Sequence, residues 1–268
     1  MKVYDCFIFN NENHILDIRL NELNKFVDYF IIIEFGETHQ GKKKKQLINK
    51  NIIKKFEKKV RYFFIEKFEK INDSWGRENF QRNCLNLGLY DALDEDLIIV
   101  SDVDEIPNLM NFNFNDINDY VFAFSHTHYM YKLNLIRKDS WIGTKLCKKK
   151  IFVSPQWLRS LKVHKKYKFY RVDKILSKTY YSKFKIVNNS GWHFGWLKNT
   201  NEIIEKLASY AHTEHNIKSL KNPDFINRCI YKKISFLNTS EKLTLDKNLN
   251  NLPKYISKNK SLFKDWII

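Results

Sequence analysis

The chain has 268 residues, of which 43% are hydrophobic and 15% aromatic, so it can bury the core of one large domain. With 7 glycines, 4 prolines and only short apolar runs, it shows neither a long flexible linker nor a segment resembling a membrane-spanning helix. The net charge of +17 is explained first by an AT-rich genome, which enriches Lys, Asn, Ile and Phe together, and second by anionic ligands or an anionic membrane surface. The lysines fall in scattered blocks, however, which argues against nucleic acid as the partner.

The cysteines and the N-terminus bear on the cellular compartment. Cys6, Cys84, Cys147 and Cys229 are far apart and form no CxxC pair, which argues against a zinc cluster and a disulfide framework. The N-terminus lacks the long apolar stretch of a signal peptide and is predicted to be the first strand. These features predict reduced thiols in a cytoplasmic protein, and the basic charge leaves peripheral contact with a membrane open.

The pattern of the first 105 residues alternates between strand and helix four times. Leu16, Leu20 and Leu23 recur at helical spacing, whereas YFIIIEF is almost wholly apolar, as expected for a strand covered on both faces. The predicted strands are Val3–Phe9, Tyr29–Phe35, Arg61–Ile65 and Leu97–Ser101, and the predicted helices run from about Glu12 to Phe26, Asn49 to Lys58 and Asp73 to Leu93. The alternation predicts a parallel, Rossmann-like sheet that binds ligands at the carboxyl ends of its strands.

The order of elements changes after Pro107. The predicted strands are Tyr120–Phe124, Tyr129–Leu133, Lys185–Val187 and Trp192–Trp196, and the predicted helices follow the capping residues Ser154, Asn199 and Asn222. The Lys- and Asn-rich stretch that follows residue 240 predicts a loosely packed tail. We therefore expect an α/β domain over residues 1–240 and a C-terminal tail, residues 241–268, that packs on it or extends from it.

The most informative motif is VSDVDE, residues 100–105, which directly follows the fourth predicted strand. Residues two apart on an extended chain project to the same side, so Asp102 and Asp104 can converge on one ion. A hard cation such as Mn²⁺ or Mg²⁺ prefers carboxylate oxygens and leaves positions open for phosphate oxygens. Two neighbouring carboxylates also repel each other until a cation lies between them. A solvated turn is the alternative interpretation of the same motif.

Six blocks of sequence resemble, in matching order, successive blocks of glycosyltransferase family 17: YDCFIFNNENHILDIRLNEL, IIIEFGETHQGKKK, WGRENFQRN, SDVDEIP, SGWHFGWL and KLASYAHTEHN. The resemblance implies a GT-A type fold, a Rossmann-like mixed sheet flanked by helices, here with a helical C-terminal extension. It implies inverting transfer of a sugar, such as the GlcNAc that the animal members add, from a UDP-sugar to a glycan or glycolipid hydroxyl. The animal enzymes are anchored in the Golgi membrane, so the missing anchor predicts a bacterial or viral origin.

Beside that resemblance, several side chains become candidates for binding the donor. Glu34 ends the second strand, where a carboxylate can accept hydrogen bonds from a ribose or base, or can simply face water. Arg77 and Arg82 lie on the helix before the acidic motif, and a guanidinium fork suits diphosphate oxygens, although one of them can instead pair with Glu78. Ser101, beside the acidic pair, belongs to the same set.

Histidines supply further candidates. GT-A enzymes often bring a C-terminal histidine to the metal, so His193 is a candidate ligand beside Asp102 and Asp104; a histidine packed in the core is the alternative. His212 and Glu214 form a rival pair, two apart at a predicted helix end, that can hold the donor or cap the helix.

Inverting transfer also needs a general base, for which Glu105, Asp139 and Asp173 are the candidates, each open to a purely structural role. Two rival functions stay open at this stage. In a polyanion- or nucleic-acid-binding module the acidic motif would be a turn, and binding would depend steeply on salt but not on metal or UDP. Another metal-dependent enzyme of nucleotide phosphates would release pyrophosphate rather than UDP.

Overall fold

The computed structural model describes residues 1–68, 71–162, 181, 183–249 and 251–268, which form a mixed α/β fold around a ten-stranded sheet. The strands are β1 (Val3–Ile8), β2 (Tyr29–Phe35), β3 (Val60–Ile65), β4 (Leu97–Asp102), β5 (Glu105–Pro107), β6 (Val121–Met130), β7 (Leu135–Lys148), β8 (Phe184–Val187), β9 (Gly191–Trp196) and β10 (Thr244–Leu245). The helices are α1 (Asn13–Leu23), α2 (Lys50–Lys54), α3 (Ser74–Asn83), α4 (Pro155–Ser160), α5 (Thr200–Leu207), α6 (Pro223–Lys232) and α7 (Lys254–Lys258). The predicted mixed sheet flanked by helices is confirmed, and it is consistent with a GT-A-like fold. None of the helices within the described ranges combines the length and apolar character that crossing a membrane requires.

The first four strands form the parallel part of the sheet, in the order β3-β2-β1-β4. β1 pairs in parallel with both β2 and β4, which places Ile8 opposite Asp102. The chain adds strands on one side of β1 and then crosses to the other side, so the carboxyl ends of β1 and β4 border a topological switch point. β2 is buried from Phe30 through Phe35, because helices cover both faces of this part of the sheet.

Beyond β4 the sheet continues in the order β4-β7-β6-β9-β5. Within this part, Glu105 of β5 lies opposite His193 of β9, and His193 lies opposite His128 of β6. Residues that lie directly opposite each other project from the same face of a sheet. The register therefore lines up one carboxylate and two imidazoles in a row that begins at the acidic motif.

The helix predicted to reach Leu93 is shorter than expected. α3 ends at Asn83, and a 3-10 helix follows over Cys84–Gly88. Gly88 packs directly on β2, because a Cβ atom at this position would lie only 2.3 Å from Cγ2 of Ile31. Gly88 packs closely on the sheet, and this contact shapes the connection to β4. The helical spacing of the apolar residues gives no sign of it.

The prediction of a separate strand at Tyr129–Leu133 is wrong. β6 instead continues to Met130, and Tyr131 then turns the chain with a left-handed φ of 64°. The longest strand, β7, was not predicted, because its first half carries exposed polar residues such as Lys138 and Asp139. Only one end of β7 is buried, so its sequence lacks the apolar run that revealed the parallel strands.

The C-terminal segment packs on the sheet and on α1. β10 pairs with β7, and the side chains of Ile256 and Phe263 are buried in the same hydrophobic cluster as α1. The Tyr255 hydroxyl donates a hydrogen bond to Asp17 on α1 at 2.8 Å. These contacts differ from the loose packing that the composition suggested, and the proposed division at residue 240 stays a prediction.

Candidate active site

A cavity of about 410 Å³ opens at the switch point between β1 and β4. It is lined by Ile8–Asn10 at the end of β1 and by residues 102–105, which we call the acidic loop. Helices α3, α4 and α5 contribute the cationic side chains of Arg82, Arg159 and Lys206. Acidic and basic groups from separate elements thus meet where the sheet topology predicts a ligand.

Arg19 on α1 holds the backbone of the acidic loop. Its side chain is fully buried and is paired with Asp5 of β1 through two hydrogen bonds of 2.8 and 2.5 Å. Nη1 donates to the carbonyl oxygens of Asp102 and Glu105 at 3.0 and 2.8 Å. Nη2 donates to the hydroxyl of Ser101 at 2.6 Å. Ser101 is therefore buried against Arg19, outside the cavity lining, and its predicted role in donor binding stays a prediction.

Asp102 has a guanidinium group on each of its oxygens. Arg82 Nη2 donates to Oδ1 at 3.1 Å, and Arg159 Nη2 donates to Oδ2 at 2.8 Å. Arg82 is also held by Glu78, one helical turn away on α3, at 2.6 Å. Burial acts to raise the pKa of the Asp102 carboxyl, but Arg159 and Arg82 outweigh it and hold that pKa below its ordinary value. Asp102 is therefore an anion at neutral pH.

Asp104 is neutralised by a different cation. Lys206 Nζ on α5 donates to Oδ2 of Asp104 at 3.1 Å and to the carbonyl oxygen of Gly195 at 2.7 Å. The other oxygen, Oδ1, lies 3.8 Å from Nε2 of His193. Burial acts to raise the pKa of Asp104, yet Lys206 and His193 together lower it. The two aspartates of the motif thus keep separate partners.

Glu105 is buried, and its carboxylate is held on both sides. Oε1 accepts hydrogen bonds from Trp141 Nε1 at 2.6 Å and from Arg159 Nη2 at 2.7 Å, while Oε2 accepts from Arg159 Nη1 at 2.9 Å. Gly143 of β7 makes room for this carboxylate, since a Cβ there would lie 2.2 Å from Cδ of Glu105. Burial raises the pKa of Glu105 although Arg159 acts against it, a direction that suits a proton acceptor.

His193 lies among aromatic rings. Its ring stacks on Trp141 with centroids 4.6 Å apart, and the His128 ring is 4.4 Å away on the other strand. Gly195 leaves space for the imidazole, because a Cβ at that position would lie 2.7 Å from Nε2 of His193. Burial lowers the pKa of His193 to about 4. The imidazole is therefore neutral at pH 7, which is the protonation state that binds metals.

His212 also lines the cavity, beyond the end of α5. Its half-exposed ring meets the exposed Trp75 edge to face, with centroids 4.7 Å apart, and its Nδ1 is 2.7 Å from Oε1 of Glu214. Across the described part of the chain, His212, Glu214 and His215 are the one group of three histidine or carboxylate side chains whose ligand atoms all lie within 4.8 Å of one another. His212 thus lies at the cavity, and Glu214 is bound to it within a group of side chains of the types that hold metal ions.

Two predicted donor-binding residues contact the loop that follows β2: Glu34 lies within β2, and Arg77 lies on α3. Glu34 is fully buried and accepts hydrogen bonds from Lys44 Nζ at 2.9 Å and from the Tyr62 hydroxyl at 2.8 Å, besides those from two backbone N–H groups. Arg77 donates to the carbonyl oxygen of His39 at 3.0 Å. Neither residue belongs to the cavity lining, and their roles in donor binding stay predictions.

The candidate bases are separated in space. Glu105 lines the cavity, whereas Asp139 lies half exposed on β7, outside the lining, with Arg137 Nε 3.2 Å from its carboxylate. Asp173 lies outside the described residues. Of the two candidates that the structure describes, only Glu105 faces the place where a ligand would bind.

Three residues of the site were not identified from the sequence. Arg19 had a signal, since it is a charged residue on the apolar face of α1 between Leu16 and Leu23. Arg159 and Lys206 had none, because they acquire their roles from Asp102 and Asp104, which are 57 and 102 residues away in the chain. Contacts of that separation depend on the tertiary fold rather than on local pattern.

The acidic pair fits a divalent cation in part. Asp104 Oδ1 and His193 Nε2 lie 3.8 Å apart, a separation that an ion about 2.1 Å from each of two ligands can bridge. A carboxylate oxygen and a neutral imidazole are both ligands that Mn²⁺ accepts. Asp102 can join them only when one of its two arginine partners moves, because both of its oxygens are occupied.

Comparison with known proteins agrees with the resemblance seen in the motifs. Residues 1–244 match the family described as glycosyltransferase family 17. Over 116 residues the chain is 28% identical to the beta-1,4-mannosyl-glycoprotein 4-beta-N-acetylglucosaminyltransferases of Rattus norvegicus and Homo sapiens. The matched stretch covers 40% of this chain and 22% of those relatives. The crystal structure of HddC from Yersinia pseudotuberculosis aligns with a TM-score of 0.34 at 12% identity, over 71% of this chain and 91% of that one. The chain belongs to glycosyltransferase family 17.

Proposed function

We propose that the protein transfers a sugar such as GlcNAc from a UDP-sugar to a hydroxyl of a glycan or glycolipid, with inversion and with the help of Mn²⁺ or Mg²⁺. The observation that carries the proposal is the meeting of the Asp102–Asp104 pair with three cationic side chains in one cavity at the switch point. A nucleoside diphosphate needs that combination, because its oxygens bind both cationic side chains and a metal ion. The similarity to N-acetylglucosaminyltransferases supports GlcNAc as the sugar.

Asp104 and His193 would hold the cation first, and Asp102 would complete the set. The cation would neutralise the charge that develops on the diphosphate leaving group. Arg82 would contact the diphosphate from α3, since Glu78 and Gln156 already fix its guanidinium at 2.6 and 2.7 Å. A guanidinium held in this way loses little freedom when an anion binds, which favours binding.

Glu105 is our candidate for the general base. Its burial raises its pKa, and it lies beside the acidic pair at the cavity. The indole N–H of Trp141 fixes the orientation of Oε1. In the absence of ligand, Arg159 also binds both oxygens of Glu105, so proton transfer requires this guanidinium to change partners. His212 and Glu214 are assigned to the outer part of the donor site.

Thermal unfolding with UDP and with UDP-GlcNAc, in Mn²⁺ and in EDTA, tests the proposal. UDP at about 100 times its Kd should stabilise the protein by about 2.7 kcal/mol, and far less of it should bind once EDTA removes the metal. Glu95→Gln, which changes a carboxylate that is 62% exposed and outside the cavity lining, serves as the control and should show the same stabilisation by UDP as the wild type. Equal affinity for UDP in both buffers would rule out the metal-assisted mechanism.

A further inference from the structure

Arg159 makes four hydrogen bonds around the acidic loop. Nη2 binds Asp102 Oδ2 at 2.8 Å and Glu105 Oε1 at 2.7 Å. Nη1 binds Glu105 Oε2 at 2.9 Å and the carbonyl oxygen of Gly143 at 2.7 Å. The backbone at the end of α4 is fixed separately, because the buried Lys145 Nζ donates to the carbonyl oxygens of Arg159 and Leu161. The guanidinium can therefore change partners by side-chain rotation, without movement of the helix.

This arrangement supplies the acidic pair with positive charge before a ligand binds. Arg159 and Arg82 occupy the two oxygens of Asp102, and Lys206 occupies one oxygen of Asp104. A divalent cation that uses Asp102 must displace one of the arginines. Arg159 is the more accessible of the two to a ligand, since its side chain is 16% exposed, whereas that of Arg82 is 3% exposed.

We propose that Arg159 couples donor binding to metal binding by exchanging the carboxylates of Asp102 and Glu105 for the diphosphate of the donor. The proposal rests on the function proposed above. A guanidinium fork matches phosphate oxygens as well as it matches a carboxylate, so the exchange keeps the charge of Arg159 paired. It frees Asp102 Oδ2 for the cation and releases both oxygens of Glu105 from Arg159. The complete metal site, with Asp102 as its third ligand, and the base thus become available only when the donor has arrived.

The test is a titration of Mn²⁺, followed by the electron paramagnetic resonance signal of the free ion, with and without UDP. The background protein carries His215→Gln, which breaks the group of His212, Glu214 and His215 without removing a residue assigned to the donor site. In this background UDP should tighten Mn²⁺ binding on the order of 5- to 150-fold. The reverse titration, UDP with and without Mn²⁺, should give the same factor, since such coupling is reciprocal.

Arg159→Lys separates partner exchange from simple charge. Lysine keeps the positive charge but cannot bind Asp102 and Glu105 as a fork. We expect Mn²⁺ to bind more tightly than in the background protein when UDP is absent, and the coupling factor to fall at least about fivefold. Unchanged or weaker Mn²⁺ binding without UDP would overturn the proposal, because it would make Arg159 a support of the acidic loop or a distant charge.

A second variant guards against a folding defect. Arg159→Met combined with Glu105→Gln removes both members of the buried pair, so that no unpaired charge is left behind. It should show the same tightening of Mn²⁺ binding in the absence of UDP, and weaker binding there would count against the exchange.

Asp104→Asn separates this inference from the proposed function. If Asp104→Asn leaves UDP-linked Mn²⁺ binding intact, the metal site itself is wrong. If it abolishes that binding while Arg159→Lys changes nothing, only the exchange is wrong.

Discussion

Each aspartate of the acidic loop meets a cationic side chain: Asp102 meets Arg82 and Arg159, and Asp104 meets Lys206. From the sequence alone, mutual repulsion of the two carboxylates predicts that replacing one of them would spare or even stabilise the metal-free protein. The structure predicts the opposite effect on the stability of the metal-free protein. Removing a carboxylate leaves a mostly buried cation without its partner, which costs free energy of unfolding.

Asp104→Asn is therefore expected to lower both stability and ligand affinity. Without metal, the free energy of unfolding should fall by roughly 1–3 kcal/mol, because Lys206 loses a charged acceptor. The affinity for UDP in Mn²⁺ should fall roughly ten- to a hundredfold, as for the loss of a charge-assisted contact. Urea unfolding and titration calorimetry measure the two effects. Unchanged UDP affinity in Mn²⁺ would remove Asp104 from the metal site.

The buried His126 predicts a loss of stability in acid. Burial, with His193 nearby, lowers the pKa of His126 well below its usual value, and neither ring nitrogen has a hydrogen-bond partner among the described residues. The unfolded chain takes up a proton on this ring below about pH 6.5, whereas the folded protein does not. The contribution to stability is thus complete above that pH and is lost as the pH falls, by up to about 1.4 kcal/mol per pH unit.

His126→Phe, which keeps an aromatic ring but cannot titrate, should make the acid limb of the stability curve shallower by about one proton. The measurement is urea unfolding of both proteins at several pH values between about 4.5 and 7.5. Parallel curves for wild type and His126→Phe would contradict the argument.

At the scale of elements, the sequence predicts those strands and helices whose apolar residues recur at a regular spacing along the chain. β1, β2, β4 and α1 were predicted within a few residues, because both faces of these strands and one face of the helix are apolar. β7 was not predicted, because the exposed half of this strand has the polar sequence that is typical of a loop. The acidic pair was placed correctly at the end of β4, yet Arg159, which binds it, could not be found. The cap at Ser154 predicts helix α4, but nothing in its sequence shows that Arg159 contacts a residue 57 positions away.

Arg19 ties α1 to β1 and to the acidic loop, so its loss should affect more than one element. Arg19→Met would leave Asp5 buried without a counter-ion and the loop carbonyls without a donor, which should cost about 3–5 kcal/mol. Arg19→Met with Asp5→Leu should recover part of that loss, because the unpaired carboxylate is gone. Urea unfolding compares the variants. A double variant no more stable than Arg19→Met would show that the bonds to the loop, and not the ion pair, matter most.

At the scale of the whole molecule, the C-terminal segment completes the core beside α1. Phe263 is 6% exposed, while its neighbour Leu262 is 67% exposed. Phe263→Ala should therefore lower the free energy of unfolding by about 3–5 kcal/mol, whereas Leu262→Ala should change it by no more than about 0.5 kcal/mol. Thermal and urea unfolding give both values. Equal, small effects would mean that this segment is as loosely attached as its composition suggested.

β5 is the last strand in the sheet order and pairs with β9 alone among the described strands. It has three residues and ends in Pro107, which has no amide hydrogen to donate. Its three side chains are nevertheless buried, and Arg19 binds the carbonyl oxygens of Asp102 and Glu105, so this edge should open only when those bonds are lost. Amide hydrogen exchange in the acidic loop should thus be slower than the short strand suggests and should become much faster in Arg19→Met. A ligand that binds the loop would slow exchange there first, which makes this edge a built-in reporter of site occupancy.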